Sequence, residues 1–136
     1  MPVLKYISQQ LIERQNLLQE IHDVIIKSDR SVIATIEPMM GKEMILYKVS
    51  GTMKYALSSV QKHISLHLMP IYASPILHSK YKALLPLASF QKGCINFKSA
   101  EEIPSHILKQ LLEDCAKIDL NKIREDYLQS KKNAKK

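Results

Sequence analysis

The sequence predicts an α+β protein, with a single antiparallel β-sheet of about four to five strands packed against N-terminal and C-terminal helices. Three observations carry this reading. Apolar residues recur at helical spacing near both ends, the middle of the chain alternates with a period of two, and glycine or proline marks the changes between patterns. The 136 residues are the size of one domain with one ordinary hydrophobic core. We expect that domain to span 1–130, followed by a disordered basic tail at 131–136.

Ile7, Leu11, Leu18, Ile21 and Ile25 form one stripe at steps of four, seven, three and four, which predicts an amphipathic helix from about Ser8 to Lys27. Ser8 is its expected N-cap, and Ser28-Asp29-Arg30-Ser31 closes it. Val32, Ile33 and Ile36 then suggest a shorter helix or turn that ends near Glu37-Pro38, because the residue before a proline is pushed out of helical geometry. The period changes after Gly41. Ile45, Tyr47 and Val49 share one strand face, Ser50-Gly51-Thr52 reads as a turn, and Met53, Tyr55 and Leu57 alternate with Lys54, Ala56 and Ser58. His63, Ser65 and His67 then oppose Ile64, Leu66 and Leu68, the pattern of a half-buried strand.

Met69-Pro70 stops that strand, and Ser74-Pro75 opens a short helix carrying Leu77, Tyr81, Leu84 and Leu85. A fourth strand follows at Phe90 to Lys98, with Ile95 and Phe97 inward. Ser99 and Glu102 fit a capping box, and Pro104 suits the first position of a helix that buries Ile107, Leu108, Leu111, Leu112 and Cys115. Asn121 to Gln129, with Ile123, Tyr127 and Leu128, is expected to pack as a last short helix.

Composition narrows function by exclusion. The chain is 46% hydrophobic and 24% charged, ordinary for a globular protein, and its apolar runs are far too short to span a bilayer. No signal peptide is visible, so a cytoplasmic location without membrane attachment is expected. Cys94 and Cys115 belong to no C-x-x-C motif and read as reduced thiols. Net charge is +7, but Lys131, Lys132, Lys135 and Lys136 supply four of those units from the tail. Nucleophile-elbow, phosphate-loop, dinucleotide-binding, zinc-helix and calcium-loop motifs are all absent, which argues against an enzyme.

Although the chain holds 13 Asp and Glu residues, none lies between Met44 and Ala100. With the strands in one sheet and the helices on its apolar face, the other face presents Lys48, Lys54, Ser58, His63, Ser65, His67, Asn96 and Lys98. Such a cationic, hydrogen-bonding surface suits an anionic ligand or an acidic partner protein. An aromatic content of 6%, with no Trp and no aromatic residue on that face, argues against nucleic acid. His63 and His67 lie about 13 Å apart along a strand, too far to ligate one ion. Lys92 and Lys98 flank Cys94 and would favour a reactive thiolate if exposed, whereas a buried thiol would be inert.

Lys62-His63-Ile64-Ser65-Leu66-His67, Tyr72, Tyr81, Phe90 to Phe97 and Ile103-Pro104 together resemble the YdhG-like family. This is a widespread bacterial domain family of unknown function that includes a frataxin-like intracellular iron chaperone. The similarity runs from about Ile36 to Ala116. It implies a frataxin-like fold and, as an alternative function, iron delivery for iron-sulfur cluster or haem assembly. Iron would then be the cofactor or cargo, for which the available carboxylates are Glu20, Asp23, Glu101, Glu102, Glu113 and Asp114.

Overall fold

The computed structural model describes residues 2–39, 41–60, 62–119 and 122. The N-terminal apolar stripe folds as two helices, α1 (Pro2–Ser8) and α2 (Ile12–Ser28), where the spacing predicted one. Amide side chains stabilise the break. Gln10 Nε2 donates to Tyr6 O at 2.9 Å and Gln15 Nε2 donates to Gln10 O at 3.0 Å, which satisfies carbonyls that a helix end leaves open. Ser8 is therefore no N-cap of the long helix; it ends α1, and its hydroxyl donates back to Lys5 O at 2.8 Å. Leu11 falls in the gap and is 53% exposed, while Leu18, Ile21 and Ile25 are fully buried.

The segment expected as a second helix is strand β1 (Ile33–Met39). Its β-branched Ile33, Thr35 and Ile36 suit a pleated surface. Pro38 is tolerated because β1 lies at the sheet edge. Gly41, at φ +81°, lies between β1 and β2 (Lys42–Val49). Ser50 and Gly51 then turn the chain with φ of +51° and +79°, the type I′ geometry that matches strand twist. Strand β3 (Thr52–Ser59) follows, and β4 (Ile64–Leu68) pairs with it.

Two short helices, α3 (Met69–Ala73) and α4 (Pro75–Leu84), lead to β5 (Ser89–Phe90) and β6 (Cys94–Phe97), so the expected fourth strand is two. A 3-10 turn at Ala100–Glu102 and helix α5 (Ser105–Ala116) complete the described fold, with Pro104 as the N-cap of α5. The result is α+β, with one six-stranded antiparallel sheet in the order β1-β2-β3-β4-β6-β5. The expected helix at 121–129, apart from Lys122, and the tail at 131–136 lie outside the described residues.

The core fills one face of this sheet. Ile45, Tyr47, Tyr55, Leu57, Ile64, Leu66, Leu68, Ile95 and Phe97 meet Leu18, Ile21 and Ile25 of α2 and Leu108, Leu111 and Leu112 of α5. Each fully buried aliphatic side chain is worth about 1.5–3 kcal/mol. A buried polar pair lies within this layer, His22 Nδ1 and Tyr47 OH, 2.8 Å apart.

Candidate functional site

The register of the strands assembles the second face. Ser58 of β3 stands opposite Ser65 of β4, and Ser65 stands opposite Asn96 of β6, so three short polar side chains form one row. Ser65 Oγ donates to Asn96 Oδ1 at 2.5 Å. The next row sets Ala56, His67 and Cys94 side by side. At the β1–β2 end the face is apolar, with Met39 and Met44 beside Lys42. Apart from Ala56, these residues line, with Val60, His63 and Gln91, a groove of about 330 Å³.

His63 reaches the groove from the connection between β3 and β4. Arg14 of α2 holds that connection: its Nη1 donates to Ser59 Oγ at 3.0 Å, to Val60 O, and to His63 O at 3.3 Å. Burial lowers the pKa of His67, so it presents a neutral imidazole at neutral pH, a hydrogen-bonding group rather than a cation.

Of the eight residues expected on this face, Ser58, His63, Ser65, His67 and Asn96 come together in this groove, and Lys48, Lys54 and Lys98 do not join them. Lys54 corrects the alternation. A register irregularity at Tyr47/Lys48 pairs Tyr55 with Tyr47 and Met53 with Lys48, leaving Lys54 as the extra residue of a bulge. Its side chain turns to the helix layer, where Nζ lies 2.7 Å from Asp29 Oδ2 and donates to Ala116 O at 3.4 Å. Lys48 is paired with Glu37 of β1 at 2.6 Å. Lys98 sits at a separate hollow beside Glu102, whose carboxylate accepts the Lys98 backbone N–H at 3.2 Å.

Sequence reasoning missed Lys42, Met39 and Met44. They lie in the hairpin next to Gly41, and only recognition of Ile33 to Met39 as a strand would have placed them on this face.

The carboxylates considered for iron are distributed among separate contacts. Glu20 accepts from Ser105 Oγ, Asp23 accepts from Gln19 at 3.0 Å, and Asp114 binds Lys80 at 2.9 Å and the Tyr81 hydroxyl. Hydrogen bonds from Tyr81 and then Lys80 hold the Asp114 carboxyl below its ordinary value. Glu101 and Glu113 are exposed on the 3-10 turn and on α5. Among the described residues, no three His, Cys, Asp or Glu side chains gather as a metal-holding group.

Burial pushes the Cys94 thiol up, and its Sγ donates to Gln91 Oε1 at 3.0 Å. The Cys115 thiol is pushed up to about 12, chiefly by burial. Both shifts oppose the thiolate that a nucleophile needs.

Among the described residues, no helix is long and apolar enough to cross a membrane. No family model matches the chain, and no curated protein or solved structure matches it either. The YdhG-like resemblance therefore rests on the quoted residues alone.

Proposed function

We propose that this chain is a non-enzymatic binding protein that holds a small ligand in the groove on the second face of its sheet. The observation that carries the reading is the mixed lining. Lys42, His63, Ser65 and Asn96 offer a cation and hydrogen-bonding groups, and Met39 and Met44 offer an apolar wall. A few convergent polar groups beside apolar surface are what a ligand site of this size requires. Because Lys48 and Lys54 already hold carboxylates, the anionic end of the ligand is assigned to Lys42. A phosphorylated or carboxylated metabolite has this chemistry.

A thermal-shift panel of phosphorylated metabolites, carboxylic acids, nucleotides and ferrous iron tests the proposal, since a ligand that prefers the folded chain raises its apparent stability. The expected result is a shift with an anionic metabolite whose affinity falls with salt. Lys42→Ala should then weaken binding about tenfold or more, the value of one charge-assisted hydrogen bond. A shift with ferrous iron alone would replace this reading with iron carriage, and no shift across the panel would refute it.

A further inference from the structure

The groove on the second face and the hollow beside Lys98 share a wall. His63 and Asn96 line both, so a ligand seated in the first already touches the residues that open the second. Strand register extends the continuity. Ser89 of β5 stands opposite Asn96, which lengthens the polar row to Ser58, Ser65, Asn96 and Ser89 on the neighbouring strands β3, β4, β6 and β5. At about 4.8 Å between strands, that row is about 14 Å long.

A cation flanks this surface on each side. Lys42 opens β2, and Lys98 follows the last residue of β6. Strands β3 and β4 lie between them, so their backbones are about 14 Å apart across the sheet. Both lysines are exposed, and among the described residues neither ammonium meets a carboxylate, in contrast to Lys48, Lys54 and Lys80. Among the described residues Glu102 is the one carboxylate lining either cavity, and it accepts from the Lys98 backbone N–H. The row between the lysines carries no charge. Ser65 Oγ donates to Asn96 Oδ1, which leaves the Asn96 amide N–H groups and the exposed Ser89 hydroxyl for a ligand's own hydroxyls.

We propose that the ligand of this groove is a polyhydroxylated molecule with an anion at each end, the chemistry of a sugar bisphosphate. Lys42 holds one phosphate, Lys98 holds the other, and the polar row meets the hydroxyls between them. This second anchor rests on the groove being a ligand site. A monoanion engages one lysine only. Once a bisphosphate is held at Lys42, its second phosphate meets Lys98 at the high effective concentration of a tethered group, so bridging raises affinity with little further loss of free motion. Both lysine stems are flexible, so side chains leaning inward bridge a ligand shorter than the backbone span.

Titration calorimetry of the full chain with matched sugar phosphates tests this. The probes are fructose 6-phosphate against fructose 1,6-bisphosphate, and glucose 6-phosphate against glucose 1,6-bisphosphate. In at least one pair the bisphosphate should bind about tenfold or more tighter than its monophosphate, the value of one charge-assisted hydrogen bond. Lys98→Ala should erase that gap and leave monophosphate affinity unchanged. Lys109→Ala, which removes the same charge from exposed α5 surface in the helix layer, should preserve the gap. Equal affinity within both pairs, with monophosphate binding that Lys42→Ala weakens, would overturn the second anchor and leave the groove as a one-anion site. A gap that survives Lys98→Ala, or that Lys109→Ala erases as fully, would also overturn it, the latter by assigning the preference to net charge. No binding by any of the four probes would overturn the sugar bisphosphate, whereas the groove itself falls as a ligand site only if the wider thermal-shift panel is silent too.

Discussion

Asp29→Ala should be among the most damaging single substitutions in this chain, and the size of the effect follows from what it leaves behind. Asp29 Oδ2 lies 2.7 Å from Lys54 Nζ and accepts from Tyr55 OH at 2.8 Å, while Oδ1 accepts the Ser31 backbone N–H at 3.2 Å. Asp29 is 4% exposed and Lys54 5%. The substitution strands a buried ammonium with the Ala116 carbonyl at 3.4 Å. Breaking a buried pair from one side costs about 3–5 kcal/mol. With a urea m-value of about 2 kcal/mol/M, the unfolding midpoint falls by about 2 M, which circular dichroism reads directly.

Asp29→Leu combined with Lys54→Met should recover most of that loss, because an apolar replacement of a buried pair is often close to neutral. About 1–2 kcal/mol should remain lost, since the Tyr55 hydroxyl loses its acceptor. The acid limb of stability supplies a second readout. Burial alone would raise the Asp29 carboxyl, but hydrogen bonds from Lys54, Ser31 and Tyr55, with the Lys54 charge, outweigh it and hold the group below its ordinary 3.8. A carboxyl depressed in the folded state contributes fully above its unfolded value and loses that contribution as pH falls through its folded value. The unmodified chain should therefore weaken below about pH 4, and the double variant less so. A loss under about 1 kcal/mol for Asp29→Ala, or a double variant as unstable as both single changes added together, would refute the reasoning.

Burial lowers His22 and His67 from an ordinary 6.5, so below that pH the unfolded chain binds more protons and stability falls as pH drops through about 6. His67→Asn should flatten this slope in thermal melts, and an unchanged slope would show that His67 titrates normally. Leu66→Ala, at a site with no exposed surface, should cost about 2–5 kcal/mol in urea unfolding; a smaller loss would place Leu66 outside the packed core. Gly51→Ala, at φ +79°, should cost about 1 kcal/mol because a Cβ is disfavoured in the left-handed region. Equal stability would show that the β2–β3 turn adopts another form.

The period of two was legible wherever a strand had one wet and one dry face. Ile64, Leu66 and Leu68 point inward and Ser65 and His67 outward, as the alternation required. It was illegible in β1, an edge strand whose residues are mostly half-buried and whose spacing mimics a helical turn. The break between α1 and α2 was equally hidden, since it depends on where glutamine side chains reach. Five of the eight expected face residues gathered: alternation along β3, β4 and β6 places Ser58, Ser65, His67 and Asn96, and His63 joins them from the connection before β4. Lys54 escaped because one extra residue in a strand carries a side chain to the opposite face, and nothing in Met53-Lys54-Tyr55 announces the bulge.

The acid-free stretch from Met44 to Ala100 acquires a different meaning in three dimensions. Lys48 meets Glu37 from β1, Lys54 meets Asp29 from the end of α2, and Lys80 meets Asp114 from α5. All three carboxylates come from outside the stretch, so each pair ties the acid-free stretch to a flanking element. Segregation of charge along the sequence therefore acts as cross-linking in space rather than as a continuous cationic surface. The most buried of these ties, Lys54 to Asp29, contributes through specificity of position. It pins the bulge that sets the register of β2 against β3, and that register carries Ala56 and Ser58 into the second face. What remains there for a ligand is a neutral, hydrogen-bonding row with Lys42 at its margin, which is why Lys42→Ala, and not Lys54→Ala, is the substitution that separates binding from folding.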